Sequence, residues 1–175
     1  MIGELLTRWT VRIAMACYIG RVTLDIAGCQ SESAARWKRG LWTIGCGWYL
    51  VHVACAFMFY HNWSHAAAYE HTANQTATVT GWHWGGGLWI NYAFTFAWIL
   101  DCIAWWRTDP TTYPKRRWLN ILTQSIFGFL VFNATVVFGP GGWIAIALGV
   151  FAWWCVLIRR RLSRKETSNV SARTG

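Results

Sequence analysis

The sequence predicts an all-α fold, a polytopic membrane helical bundle, on three observations. Of its 175 residues, 55% are hydrophobic and 13% charged, about half the roughly 25% charged share of a soluble domain. Its apolar residues fall into runs close to the ~20 residues needed to cross a hydrocarbon core about 30 Å thick. All sixteen Lys and Arg can be placed on one side of those runs, which is the asymmetry of cytoplasmic loops. One membrane domain over 1–158, with helices near 4–27, 41–60, 88–106, 118–138 and 143–158, accounts for the length.

Residues 4–27 are helical in pattern, but Arg8, Arg12, Arg21 and Asp25 interrupt the apolar face. The segment reads equally as an interfacial helix or as a fifth span, with Arg21 and Asp25 neutralising one another at i,i+4 and the other arginines snorkelling. The same arginines break any apolar signal-peptide region. Residues 28–40 read as a basic connector. Leu41–Tyr60 is a span whose only strongly polar member is His52. An outer His-rich loop follows over 61–87, in which Ser64 can cap a short helix through Ala66, Ala67 and Ala68. Leu88–Trp106 carries Asn91 and Asp101; Asp101, near its end, reads as an interfacial ion-pair partner of Arg107, Lys115 or Arg117. Asp109-Pro110 and Tyr113-Pro114 mark a turn-rich basic loop. The last two spans are joined through Gly139–Gly142. The tail 159–175 has too little apolar content to fold alone and reads as disordered.

With four spans, every basic residue lies on the side of the C-terminus, so the tail is expected in the cytoplasm and the His-rich loop outside, in a bacterial inner (plasma) membrane. The net charge of +9 points to anionic lipid headgroups beside the tail. It does not point to nucleic acid, because the basic residues cluster at span ends without the repeats of a nucleic-acid module. Fifteen Trp, many at span ends, read as interfacial belts more than as core. The six cysteines form no CxxC, and neither a disulfide nor a cysteine zinc site is expected.

All five histidines fall between His52 and His83. Counting helical rise, His52, Asn91 and Asn133 occupy a common level in the outer half of three different spans, below the other four histidines. Polar groups at that depth are costly and often functional; equally, they serve simply as interhelical hydrogen bonds. The functional reading is a cofactor site lined by His52, Asn91 and Asn133 and roofed by His61, His65 and Glu70. As metal ligands, His61, His65, His71 and Glu70 are the candidates. On one continuous helix His61 and His65 stand about 40° apart and converge, while His71 lies about 120° from His65. Copper, zinc, iron or haem all suit neutral imidazole. A buried bis-histidine haem needs two facing transmembrane histidines, and only His52 is available.

No nucleophile elbow, phosphate loop, dinucleotide fingerprint or HExxH is present. Three function classes remain. The first is an accessory or structural subunit of a membrane complex, with other membrane subunits as partners. The second is a metal- or haem-binding redox or metal-handling protein. The third, a small carrier or channel, is disfavoured by the lack of an inverted repeat.

Overall fold

A computed structural model describes residues 2–112, 117–133 and 142–174. Every regular element among them is helical: α1 (Ile2–Ile26), α2 (Glu32–Tyr60), α3 (His65–Thr80), α4 (Gly87–Trp106), α5 (Arg117–Phe132) and α6 (Gly142–Thr174). Three are long and apolar enough to cross a membrane: α2, α4 and the Gly142–Arg164 part of α6. The fourth expected span is described as a shorter apolar stretch, Ile121–Phe132; its expected end at Phe138 and the glycine turn from Gly139 lie outside the described residues, as does Lys115 in the basic loop.

Local chemistry explains where the helices start and stop. Ile26 ends α1 because Gly28 adopts φ 75°. The Cys29 N–H reaches the Leu24 carbonyl at 3.2 Å and the Gly28 N–H the Asp25 carbonyl at 3.1 Å, a Schellman closure that satisfies otherwise orphaned carbonyls. Three residues later Ser31 caps α2 by accepting from the Ala34 N–H. An i,i+4 ion pair between Glu32 and Arg36 supports the first turns. Residues 32–40, expected as connector, are therefore helix. The cap and the charge pairing favour helix where apolar content alone gave no signal.

The segment expected as a His-rich loop is mostly helix too. Asn62 and Trp63 take positive φ (46° and 59°) and reverse the chain. Ser64 then caps α3 through the Ala67 N–H. The hydroxyls of Thr72, Thr76, Thr78 and Thr80 fold back onto the carbonyls four residues earlier, so the threonine-rich stretch stays helical until left-handed Gly81 ends it. Beyond Ile158, α6 continues to Thr174 without interruption, through the tail expected to be unstructured.

Helix α1 lies antiparallel along α2 from Phe59 to Lys38. Gly3 sits against the Phe59 ring, Gly45 against Cys17 and the Ala14 carbonyl, and Gly20 against Leu41. Near the other end Lys38 Nζ meets Asp25 Oδ1 at 2.8 Å. A Cβ on Gly45 would stand 3.1 Å from Cys17 Cβ and 3.2 Å from the Trp98 ring; small residues at this crossing let the backbones approach. Helix α4 also runs antiparallel to α2, with Asp101 at Trp42 and Tyr92 at Phe57, and α6 runs parallel to α1, joined through Trp154 Nε1 to Thr23 Oγ1 at 2.9 Å and Arg161 to the Asp25 and Ile26 carbonyls.

The core joins Tyr18, Trp42, Cys46, Phe94, Trp98, Cys102, Trp105 and Phe127. Phe127 inserts from α5 with its ring centroid 4.4 Å from that of Phe94 and 4.5 Å from that of Trp42. Trp42 and Trp105 are the largest fully buried side chains, 1% exposed each, which corrects their expected place in an interfacial belt; Trp84, Trp89 and Trp106 are exposed as such a belt requires. The burial of Trp42 is made possible by partners for its polar edge and its face. Its Nε1–H donates to Asp101 Oδ2 at 2.8 Å and the Arg21 guanidinium lies 4.7 Å over its ring.

Candidate functional site

At the opposite end of the helices from that core, the ends of α1, α2, α3 and α4 enclose a cavity of about 510 Å³. This is within the range of ligand sites, roughly 300–1,000 Å³. Its wall is built from Glu4, Thr7 and Arg8 of α1; Tyr49, His52 and Tyr60 of α2; His61 just after it; His71, Thr72 and Gln75 of α3; and Asn91, Tyr92 and Thr95 of α4. A second, smaller cavity of about 200 Å³ shares Tyr49, His52 and Asn91 with the first and reaches toward Trp98 and Phe127.

His52 is fixed by α1. Its Nδ1 lies 2.9 Å from the Thr7 carbonyl oxygen, and since a carbonyl only accepts, Nδ1 carries the hydrogen and the lone pair of the neutral ring is on Nε2. A backbone carbonyl holding Nδ1–H is the usual way that an imidazole is oriented for ligation through Nε2. Asn91 of α4 lines the same cavity and brings an amide to it, whereas a buried bis-histidine haem needs a second transmembrane imidazole. Asn133 does not join them. Its Nδ2 donates to the Phe129 carbonyl one turn back at 2.7 Å.

The expected pairing of the loop histidines changes as well. His61 and His65 do not share a helix, because the left-handed pair Asn62-Trp63 turns the chain between them. His61 instead meets His71, ring centroids 5.3 Å apart and planes at 62°. Partial burial, and next the charge of His71, hold the His61 imidazole below its ordinary pKa. His65 turns to α4, with Nδ1 3.0 Å from the Tyr92 hydroxyl and its ring 5.1 Å from that of Trp89. Glu70, expected among the metal ligands, accepts from His83 Nε2 at 3.1 Å on the exposed face of α3, which also brings Asn74 Oδ1 to 3.2 Å. Among the described residues no three His, Cys, Asp or Glu side chains lie close enough to hold a metal by themselves.

Sequence reasoning missed Thr7, Glu4 and Arg8, because it left open whether α1 accompanies α2. It missed Thr72 and Gln75 because 72–80 read as loop. A signal for the latter existed: His71, Thr72 and Gln75 recur at helical spacing, i, i+1 and i+4, on one face of the capped segment. At the mouth, Glu4 and Arg8 form an i,i+4 ion pair, so the rim carries no net charge from α1. The wall thus offers imidazoles, two amides and hydroxyls, suited to a polar ligand or a metal ion. No family model, curated protein or solved structure matches the chain.

Proposed function

We propose that the chain is a small integral membrane subunit that binds a polar ligand or metal-bearing cofactor in the hollow end of its bundle, on the outer face of the membrane. The observation that carries this reading is His52: a histidine within a span, its Nδ1 held by Thr7 and its ring lining a cavity of about 510 Å³ together with His61, His71 and Asn91. A polar group at that depth is expensive, and a cavity beside it gives the cost a purpose.

The orientation follows if α1 crosses with α2. Its 25 residues extend about 37 Å, it follows α2 from Phe59 to Lys38, and its Arg21 is only 4% exposed between the Trp42 and Trp105 rings, so the charge is sheltered by protein. The N-terminus is then outside with Arg8 and Arg12, and every other Lys and Arg lies at or beyond the inner ends, a bias that places the C-terminus in the cytoplasm. A reporter after Gly175 should be cytoplasmic, and a single cysteine at Ala67 should react with an impermeant reagent from outside. Reaction at Ala67 only after permeabilisation overturns the orientation.

Assembly with other membrane subunits is supported by α6. None of the residues in its 18-residue span window is buried against the rest of the chain, and Leu148 and Phe151 are 63% and 64% exposed. A mildly solubilised particle larger than one chain, shrinking when Leu148 and Phe151 are changed to Ala, supports this; a monomer in native membranes removes it.

A further inference from the structure

Resting on the reading of the hollow end as a binding site, we propose that His61 and His71 together hold one divalent transition-metal ion of the zinc class at the cavity mouth, through one nitrogen of each imidazole.

The spacing of the rings carries the argument. A metal bound at about 2.0–2.1 Å from an imidazole nitrogen lies about 3.2 Å from the ring centre, so two imidazoles at a tetrahedral angle have centres about 5.2 Å apart. The same rings on a linear two-coordinate ion stand about 6.4 Å apart, and at a right angle about 4.5 Å. The observed 5.3 Å accommodates the tetrahedral case. The two rings come from separate elements: His61 follows α2 and is set by the Asn62-Trp63 reversal, and His71 stands in the second turn of α3. Bound metal therefore ties α3 to α2.

The remaining coordination positions are open. With no third His, Cys, Asp or Glu in reach among the described residues, water or a bound ligand completes the tetrahedron, as in zinc sites that act on or exchange a ligand. Glu4, Gln75 and Tyr60 line the same cavity and His52 lies deeper in its wall, so the open positions face polar groups. The one cation on that wall, Arg8, is paired with Glu4. The other two histidines of the region are otherwise engaged, His65 with Tyr92 and His83 with Glu70 and Asn74.

The test titrates Co²⁺, a spectroscopic stand-in for Zn²⁺, into the full-length protein in nanodiscs at pH 7.5. One equivalent should bind with the visible bands of tetrahedral cobalt, and Zn²⁺ should displace it. His61→Ala and His71→Ala should each weaken binding by more than about tenfold, equivalent to about 1.4 kcal/mol. His71→Cys, which supplies a thiolate, should keep it. His65→Ala and His83→Ala should leave the titration unchanged. Binding of one equivalent by the His61→Ala/His71→Ala protein, loss on His65→Ala alone, or no binding by the unaltered protein overturns the proposal. Failure here, with Val53→Cys still labelled from outside as described below, removes the metal site and leaves the cavity; failure of both removes the binding reading.

Discussion

The two ends of the same helices are built in opposite ways. At the end near the basic residues, α1, α2 and α4 close on one another through Arg21, Trp42, Trp98 and Trp105, with Asp25 bridging Arg21 at 3.6 Å and Lys38 at 2.8 Å. At the other end the same three helices, with α3 across them, leave about 510 Å³ lined by groups with hydrogen-bonding capacity to spare. In lipid there is little hydrophobic gain in bringing one apolar helix against another, so packing and polar contacts decide where helices meet. The filled end supplies that packing and fixes the angle of approach, and the hollow end can then be open without the bundle coming apart.

Mutations at the two ends should therefore differ in kind. The largest effect is expected from Trp42→Ala, which removes a fully buried ring, its bond to Asp101 and its contact with Arg21. The loss should be about 3–5 kcal/mol, read as thermal unfolding in detergent, with any ligand binding by surviving folded protein little changed. A loss of binding with unaltered stability at this position breaks the division of labour between the ends. Next is Gly45→Val, whose branched side chain meets Cys17 and Trp98 where α1 and α2 pack together. Overpacking there should cost about 1–3 kcal/mol and loosen α1, seen as faster proteolysis near Ile2. A smaller cost is expected from His52→Leu at the hollow end, because a lost interhelical hydrogen bond in a membrane averages about 0.6 kcal/mol; binding of a polar ligand within the cavity, in contrast, should fall sharply, with the Co²⁺ titration of His61 and His71 unchanged.

The smallest effect is one of pH. His61 has its pKa depressed, so the neutral imidazole is the form the fold favours. The unfolded chain takes up its proton first as the pH drops, and the stability from this group is present above the ordinary imidazole value of ~6.5 and fades below it. The groups facing it are His71 from α3, Glu4 and Arg8 from α1, and Tyr60 beside it. Amide exchange in α3 should accelerate modestly between pH 7.5 and 5.5, and His61→Gln should flatten that dependence. Slower exchange on acidification contradicts it.

Much of this arrangement was legible in the residues. The runs Leu41–Tyr60 and Leu88–Trp106 mark their helices by apolar length, and His52 and Asn91 stand out as polar groups within them. What escaped depends on local backbone bonds and on how helices are paired. Asn133 spends its amide on the Phe129 carbonyl one turn back, a local bond that depth along the sequence does not record. His61 and His65 have the right separation along the sequence, but two residues of positive φ stand between them. Trp42 sits at a span end as an interfacial residue does, and only the pairing of α1 and α4 around it shows that it is core. Helix α1 itself, crossed by three arginines, reads as ambiguous until Arg21 is seen against Trp42 and Asp25. The threonines of α3 read as loop because their gain lies in side chain to backbone bonds that no apolar periodicity records.

The claim that the hollow end is a site open to the outside is tested most directly by comparing two neighbouring positions on α2. Val53 lines the cavity, whereas Val51, at nearly the same depth, is 46% exposed on the outer surface of the bundle, where lipid is expected. In a chain whose six native cysteines are replaced by alanine, Val53→Cys should react with a small membrane-impermeant thiol reagent added on the side opposite the C-terminus, and Val51→Cys should not. Equal protection of both positions, or labelling of Val53→Cys only from the C-terminal side, contradicts the account.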